Sequence, residues 1–116
     1  MRARAGHLRV PRAVLVGAAV ATALAATAAF GQDGGALASL GGRLFTEQGC
    51  YGCHMIGKMG TPIANDLSQA GSKYAEDYLR HWLREPQEQK PRAHMPKIQM
   101  KEAEARALAA YLASLK

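Results

Sequence analysis

Residues 50–54 read CYGCH, which places two cysteines three positions apart and a histidine directly after the second. The thiols of Cys50 and Cys53 can each form a thioether to the edge of a porphyrin, and the adjacent His54 imidazole is then held where it can bind the iron. C-x-x-C-H is the attachment signature of a c-type haem. The pentapeptide therefore predicts one covalent haem c with its iron, attached through Cys50 and Cys53 and ligated by His54.

Three other uses of this cysteine pair remain open. A zinc site needs further paired ligands, but Cys50 and Cys53 are the only cysteines, and the remaining histidines lack that spacing: His7, His81 and His94. A thioredoxin-like dithiol needs a strand–helix–strand context, which the flanking sequence does not show. A disulfide across so short a loop would constrain the unfolded chain little. The pentapeptide favours the haem over all three.

The first 31 residues differ sharply in charge from the remainder. They contain four arginines and no acidic residue, and an uncharged, mostly apolar run covers residues 13–30 before Gly31. This pattern predicts a signal peptide over residues 1–31. The apolar run is also close to the length of a short membrane span, so an uncleaved N-terminal anchor is the alternative. Both the signal peptide and the anchor predict a periplasmic or otherwise exported domain. The domain would contact a membrane only if the N-terminal segment stays uncleaved.

The remainder of the chain is close to neutral. The formal net charge of +6 belongs mainly to the leader, because from Gln32 onward eleven Lys and Arg face nine Asp and Glu. This balance argues against a nucleic-acid surface. We expect a flexible linker at residues 32–35 and one domain at residues 36–116. A domain of that size has a marginal side-chain core, so a bound porphyrin would complete it.

Helical periodicity accounts for most of this domain. Apolar residues and a glycine recur at helical spacing over residues 37–45, which predicts a first helix running into the pentapeptide. A second helix is expected to be capped by Ser72 and to end at Pro86. The stretch 85–96 has three prolines and predicts a constrained loop, and a third helix is expected from about Met100 to Lys116. The expected fold class is all-α, with three main helices.

Residues 36–116 resemble a small bacterial class I cytochrome c. The matching segments are Gly41-Gly42-Arg43-Leu44-Phe45, the pentapeptide, Thr61-Pro62, Met95-Pro96 and Ala107-Leu108-Ala109-Ala110-Tyr111-Leu112. The resemblance implies a cytochrome c-like fold, in which three main helices pack around one haem. It also implies that the first and last helices cross at a small residue, so that Gly41 and Phe45 meet Leu108 and Tyr111. Glycine otherwise costs about 1 kcal/mol inside a helix, and this close approach would explain it.

The resemblance also implies the remaining haem contacts. The distal iron ligand of the family lies in a Met-Pro dipeptide, which here is Met95, and His94 is its nearest rival. A proline carbonyl orients the ligating histidine in similar cytochromes, and Pro62 matches it. Trp82 is expected beside a haem edge, with a possible hydrogen bond to a propionate; a plain core aromatic is the alternative.

The function implied is one-electron transfer. His54 and Met95 would fill both axial positions of the iron, and no second catalytic constellation is evident, so we expect a carrier rather than an enzyme. Its partners would be a redox donor and a redox acceptor. The alternative is a haem-bearing subunit of a larger exported or membrane-anchored oxidoreductase, so monomer and complex subunit both stay open. A sensing or peroxidatic haem, which requires Met95 to dissociate, is a third possibility.

Overall fold

The first helix, α1, covers residues 33–47 in the computed structural model, which describes residues 33–116. The leader or anchor predicted over residues 1–31 lies outside the described residues. Of the linker predicted at residues 32–35, residues 33–35 are helical, and residue 32 lies outside the described residues. Gly34 and Gly35 are exposed and touch nothing within 4 Å of a Cβ position. Glycine is unfavourable in a helix, but adding a residue to an existing helix needs no new nucleus, so α1 continues through both.

The remaining elements follow in chain order. They are a 3-10 turn at Cys50–Gly52, β1 at Met55–Ile56, β2 at Met59–Gly60, α2 at Ala70–Lys73, α3 at Glu76–Arg84, α4 at Pro86–Gln89 and α5 at Glu102–Ser114. The two short strands pair antiparallel, with Met55 opposite Gly60. The prediction of an all-α fold with three main helices is confirmed, since α1, α3 and α5 are by far the longest elements.

The start of α3 differs from the prediction. Ser72 lies inside α2 and does not cap α3, whose N-cap is Ala75. The cause is Gly71, whose N–H donates to the carbonyl of Leu115 at 2.8 Å and so fixes α2 against the end of α5. Tyr74 is then extended and separates the two helices. The sequence pattern predicted one helix capped by Ser72, but the structure has the short helix α2, a break at Tyr74 and then α3.

The crossing of α1 and α5 explains Gly41. A Cβ at this position would collide with the carbonyl of Ala107 and the Cβ of Tyr111, so only glycine allows the helices to approach this closely. The Phe45 and Tyr111 rings meet edge to face with centroids 5.8 Å apart. The predicted contact of Gly41 and Phe45 with Tyr111 is confirmed, and the nearest backbone to Gly41 is that of Ala107.

The core lies where α1, α3 and α5 meet. Its buried members are Leu44, Phe45, Ala70, Leu79, Leu83, Ala107, Leu108, Ala109 and Leu112.

α5 begins two residues later than expected, after Lys101, whose N–H donates to the carboxylate of Glu104 at 2.7 Å. Within residues 33–116, no helix is both long enough and apolar enough to cross a bilayer.

Candidate functional site

A tight turn presents the two thiols. Gly49 has a φ of 74°, the left-handed conformation that glycine adopts readily, and it reverses the chain after α1. The amides of both Cys53 and His54 then donate to the carbonyl of Cys50. Both cysteines are free thiols, Cys50 half-buried and Cys53 exposed. Burial raises the pKa of the Cys50 thiol, which therefore stays protonated at neutral pH.

The His54 ring is oriented by a backbone carbonyl. Its Nδ1 lies 2.7 Å from the carbonyl oxygen of Asn65, so the tautomer that satisfies this oxygen carries its proton on Nδ1 and leaves Nε2 available to bind a metal. This corrects the role predicted for Pro62, since Asn65 supplies the acceptor. The reason is the path of the loop. Ala64 donates to Cys53 at 2.7 Å and Leu67 donates to Met55 at 2.8 Å, which brings the carbonyl of Asn65 within hydrogen-bond distance of the ring nitrogen.

Two glycines shape the hairpin that follows His54. Gly60 has a φ of 107°, and a Cβ there would collide with the carbonyl of His54 and press on the Tyr51 ring. Gly57, at a φ of 59°, donates its N–H to the hydroxyl of Ser68 at 2.7 Å. The hairpin thus packs directly against the backbone of His54. This contact fixes the position of the His54 Cα, from which the imidazole side chain extends.

Met95 is held through its sulfur. Trp82, on α3, donates its indole N–H to Met95 Sδ at 3.1 Å, and both side chains are half-buried. The Trp82 ring is itself fixed, because Tyr78 stacks against it with centroids 6.2 Å apart and Tyr74 stacks on Tyr78 at 5.3 Å. The sequence predicted Trp82 and Met95 as separate members of the site. The structure brings them into direct contact, whereas the predicted propionate contact of Trp82 stays a prediction.

The backbone of Met95 has its own partner. The side-chain amide of Gln87, on α4, donates to the carbonyl oxygens of Met95 at 2.9 Å and Ala93 at 3.2 Å. Sequence reasoning missed this residue, and no signal pointed to it, because an amide that bonds to backbone carbonyls follows no spacing rule. His94, the rival ligand, is exposed in the same loop.

These residues fit a covalently attached haem. Two free thiols lie in one turn, an adjacent imidazole keeps Nε2 available, and a thioether sulfur is held in place by a hydrogen bond. Thioether, imidazole and thiol are the groups that c-type haem uses for ligation and attachment. No group of three or more His, Cys, Asp or Glu side chains within residues 33–116 could hold a bare metal ion.

Comparison with known proteins agrees with this chemistry. Residues 38–116 match the family model described as cytochrome c. The chain is also 37% identical over 89 residues to cytochrome c oxidase subunit 2 of Alkalihalophilus pseudofirmus, an alignment that covers 69% of this chain and 26% of that relative. The chain thus corresponds to about a quarter of the length of this relative. No solved structure matches it.

The family match covers α1 to α5, including the CYGCH turn and the loop that carries Met95. Proteins of this family bind haem c covalently and carry electrons through its iron. On the combined evidence of the turn, the imidazole, the held sulfur and the matched residues, the chain belongs to the cytochrome c family and contains a haem that transfers electrons.

Proposed function

We propose that Cys50 and Cys53 attach one haem c, that His54 and Met95 bind its iron, and that the protein carries single electrons between exported redox proteins. The observation that carries this assignment is the hydrogen bond from Trp82 to Met95 Sδ. The half-buried indole N–H needs an acceptor, and the acceptor here is the sulfur of Met95. Here the sulfur is held in one orientation, as a ligand must be.

The side chains define what the site does. The Asn65 carbonyl holds the proton of His54 on Nδ1, which fixes the orientation of the ring and makes Nε2 a stronger metal ligand. As a ligand, the Met95 sulfur would raise the reduction potential, and the Trp82 N–H would strengthen this effect by drawing electron density from the sulfur. The bound haem supplies a one-electron couple. Because His54 and Met95 would both bind the iron, the bound haem would offer no free position to a substrate, and the protein would transfer electrons without making or breaking substrate bonds.

The alternative is that the domain is the haem-bearing part of a larger oxidoreductase. It is supported by the similarity to a protein named as an oxidase subunit, of which this chain covers only 26%. Isolation of the native protein from its host under mild conditions distinguishes the two: a carrier elutes as a small protein, and a subunit elutes with its complex. The same material gives the mature N-terminus, and cleavage before Gln32 would support the signal peptide.

Attachment is tested by the mass of the exported protein. We expect an intact mass that exceeds the polypeptide by one haem, and colour that stays with the protein in acidified acetone. Replacement of both Cys50 and Cys53 by Ala should remove both features. Colour extracted from the wild type, or bound zinc without haem, would contradict the proposal.

The Met95 ligand is tested by the weak near-infrared band of oxidised sulfur-ligated haem. Met95→Ala should abolish this band, lower the potential and allow the reduced protein to bind carbon monoxide. Met100→Ala is the matched control, since Met100 is also half-buried beside the core. If Met100→Ala removes the band and Met95→Ala keeps it, the assignment is wrong. Loss of the band only in His94→Ala would favour the rival histidine.

A further inference from the structure

Gln87 bridges two carbonyls of the segment that carries Met95. One nitrogen, Nε2, donates to the carbonyl oxygens of Ala93 and Met95, at 3.2 and 2.9 Å. Both acceptors lie in residues 90–101, here called the Met95 loop, whereas Gln87 belongs to the preceding helix α4. The side chain therefore ties the loop back to a regular element at the residue that supplies the proposed ligand.

Little else fixes this part of the loop. Ala93 donates to the carbonyl of Lys90 at 2.9 Å, but within the described residues no hydrogen bond joins the backbone groups of residues 94–100 to each other or to other backbone. Lys97 pairs with Glu85 at 2.6 Å, but about half of the Lys97 side chain is exposed, and a pair of this kind contributes little. The backbone position of Met95 thus depends strongly on the amide of Gln87.

The base of this contact is firm. α4 starts at Pro86, which is fully buried and whose fixed φ suits the first helical position. Lys90 then donates to the carbonyl of Pro86 at 2.9 Å and closes the turn. Gln87, directly after the buried proline, is therefore anchored where its side chain meets the Met95 loop.

We propose that Gln87 is a positioning residue that holds the backbone of Met95 while Trp82 holds its sulfur. The inference rests on the proposed ligation by Met95. With both ends of Met95 fixed, the sulfur would be held where it can bind the iron. With the backbone of Met95 free, the sulfur would dissociate more often, even though Trp82 is intact. Gln87 is exposed, so its two hydrogen bonds belong at the weak end of the ordinary range, and together they correspond to about a tenfold change in an equilibrium constant.

The test compares Gln87→Glu with Gln89→Glu in the haem-loaded protein. Both changes add the same charge to α4, and Gln89 is exposed, but only the change at position 87 replaces the donor by a carboxylate that faces two carbonyls. We expect the reduced Gln87→Glu protein to bind carbon monoxide about ten times faster than wild type. Its near-infrared band should weaken and its potential should fall, while Gln89→Glu resembles wild type in all three measurements.

A third variant separates positioning from general stability. Gln87→Lys restores a donor at the same end of the side chain, so it should recover most of the wild-type resistance to carbon monoxide, whereas Gln87→Leu should not. Equal carbon monoxide rates in Gln87→Glu, Gln89→Glu and wild type would overturn the inference. So would changes in Gln87→Glu that merely follow a loss of unfolding free energy measured by urea. If Met95→Ala leaves the near-infrared band in place, the proposed ligand itself has failed, which is a different outcome.

Discussion

The two sides of the proposed haem site are held together in different ways. The His54 segment, residues 50–67, is tied by its own backbone: His54 donates to Cys50, Ala64 donates to Cys53, and Leu67 donates to Met55. The Met95 loop depends on side chains that reach it from elsewhere, chiefly Trp82 and Gln87. A segment closed by local backbone hydrogen bonds opens rarely, whereas a loop held by a few side chains opens more easily. Ligand exchange is therefore expected at Met95 and not at His54.

The strongest way to break this contrast is to disrupt the His54 segment at Gly60. In Gly60→Ala the new Cβ would meet the carbonyl of His54, and a φ of 107° is strained for any side chain. We expect the free energy of unfolding to fall by about 3 kcal/mol. Urea unfolding followed by far-UV circular dichroism measures this change.

Gly57→Ala is the matched control for that experiment. Gly57 also has a positive φ, 59°, but a Cβ there would meet nothing within 4 Å. Gly57→Ala should therefore lower the free energy of unfolding only by its conformational strain, about 1 kcal/mol. Equal losses in the two variants would show that the close approach of the hairpin to His54 is unimportant.

A smaller effect is expected from Trp82→Phe, which tests the Met95 loop. The substitution keeps an aromatic ring to stack on Tyr78 but removes the N–H that bonds to Met95 Sδ. Loss of one hydrogen bond worth about 1 kcal/mol should raise the carbon monoxide binding rate of the reduced protein roughly fivefold. The reduction potential should fall as well, because the sulfur then gives more electron density to the iron.

Tyr78→Phe provides the comparison, since it keeps the stack and removes only a hydroxyl on the same face of α3. Its potential and carbon monoxide rate should match wild type. If Tyr78→Phe lowers the potential as much as Trp82→Phe does, packing of the aromatic row, and not the bond to sulfur, controls Met95.

The smallest effect concerns the end of the Met95 loop. Glu102 opens α5 and pairs with Arg80 at 2.6 Å and with Arg84, both on α3. The hydrogen bond from Arg80 is the main cause that holds the pKa of Glu102 below its ordinary value. A carboxyl with a lowered pKa stabilises the folded state above its unfolded pKa, and this contribution is lost as pH falls through the folded value.

Glu102→Gln should therefore lower the midpoint of thermal unfolding at neutral pH by a small amount. The difference from wild type should shrink as the pH falls below the ordinary carboxyl pKa, and it should disappear only when the pH is also below the lowered pKa of the folded state. The pair is exposed, so added salt should also reduce the difference. A difference that stays constant from neutral to acid pH would mean that the charge of Glu102 does not contribute.

The same contrast decides what the sequence could predict. The turn around Cys50 and His54 is local, so five consecutive residues carry its geometry. The helix crossing at Gly41 was predicted only through the resemblance to class I cytochromes c, which then explained a glycine inside a helix. The acceptor for His54 was misplaced at Pro62, since the path of a loop depends on backbone bonds such as Leu67 to Met55, which leave no pattern in the sequence. The role of Gln87 could not be predicted either, because its bonds to the backbone carbonyls of Ala93 and Met95 also leave no pattern in the sequence.

Short elements were the other source of error. α2 has only four residues, too few to show a helical period, and its position depends on Gly71 meeting the backbone of Ala113 and Leu115 at the end of α5. Sequence periodicity predicts long amphipathic helices, but it does not predict contacts between backbone segments that are far apart in the sequence. Ser72 was therefore assigned to the wrong helix, although α3 itself was predicted.

The crossing at Gly41 also constrains the order in which the chain can fold. Gly41 and Ala107 lie near opposite ends of the described residues, so their contact closes a loop that contains the CYGCH turn, the hairpin and the Met95 loop. Contacts between residues far apart in sequence are slow to form, whereas turns form early. The turn that carries Cys50, Cys53 and His54 can thus be in place while the domain is still open, and docking of α1 on α5 closes the chain afterwards.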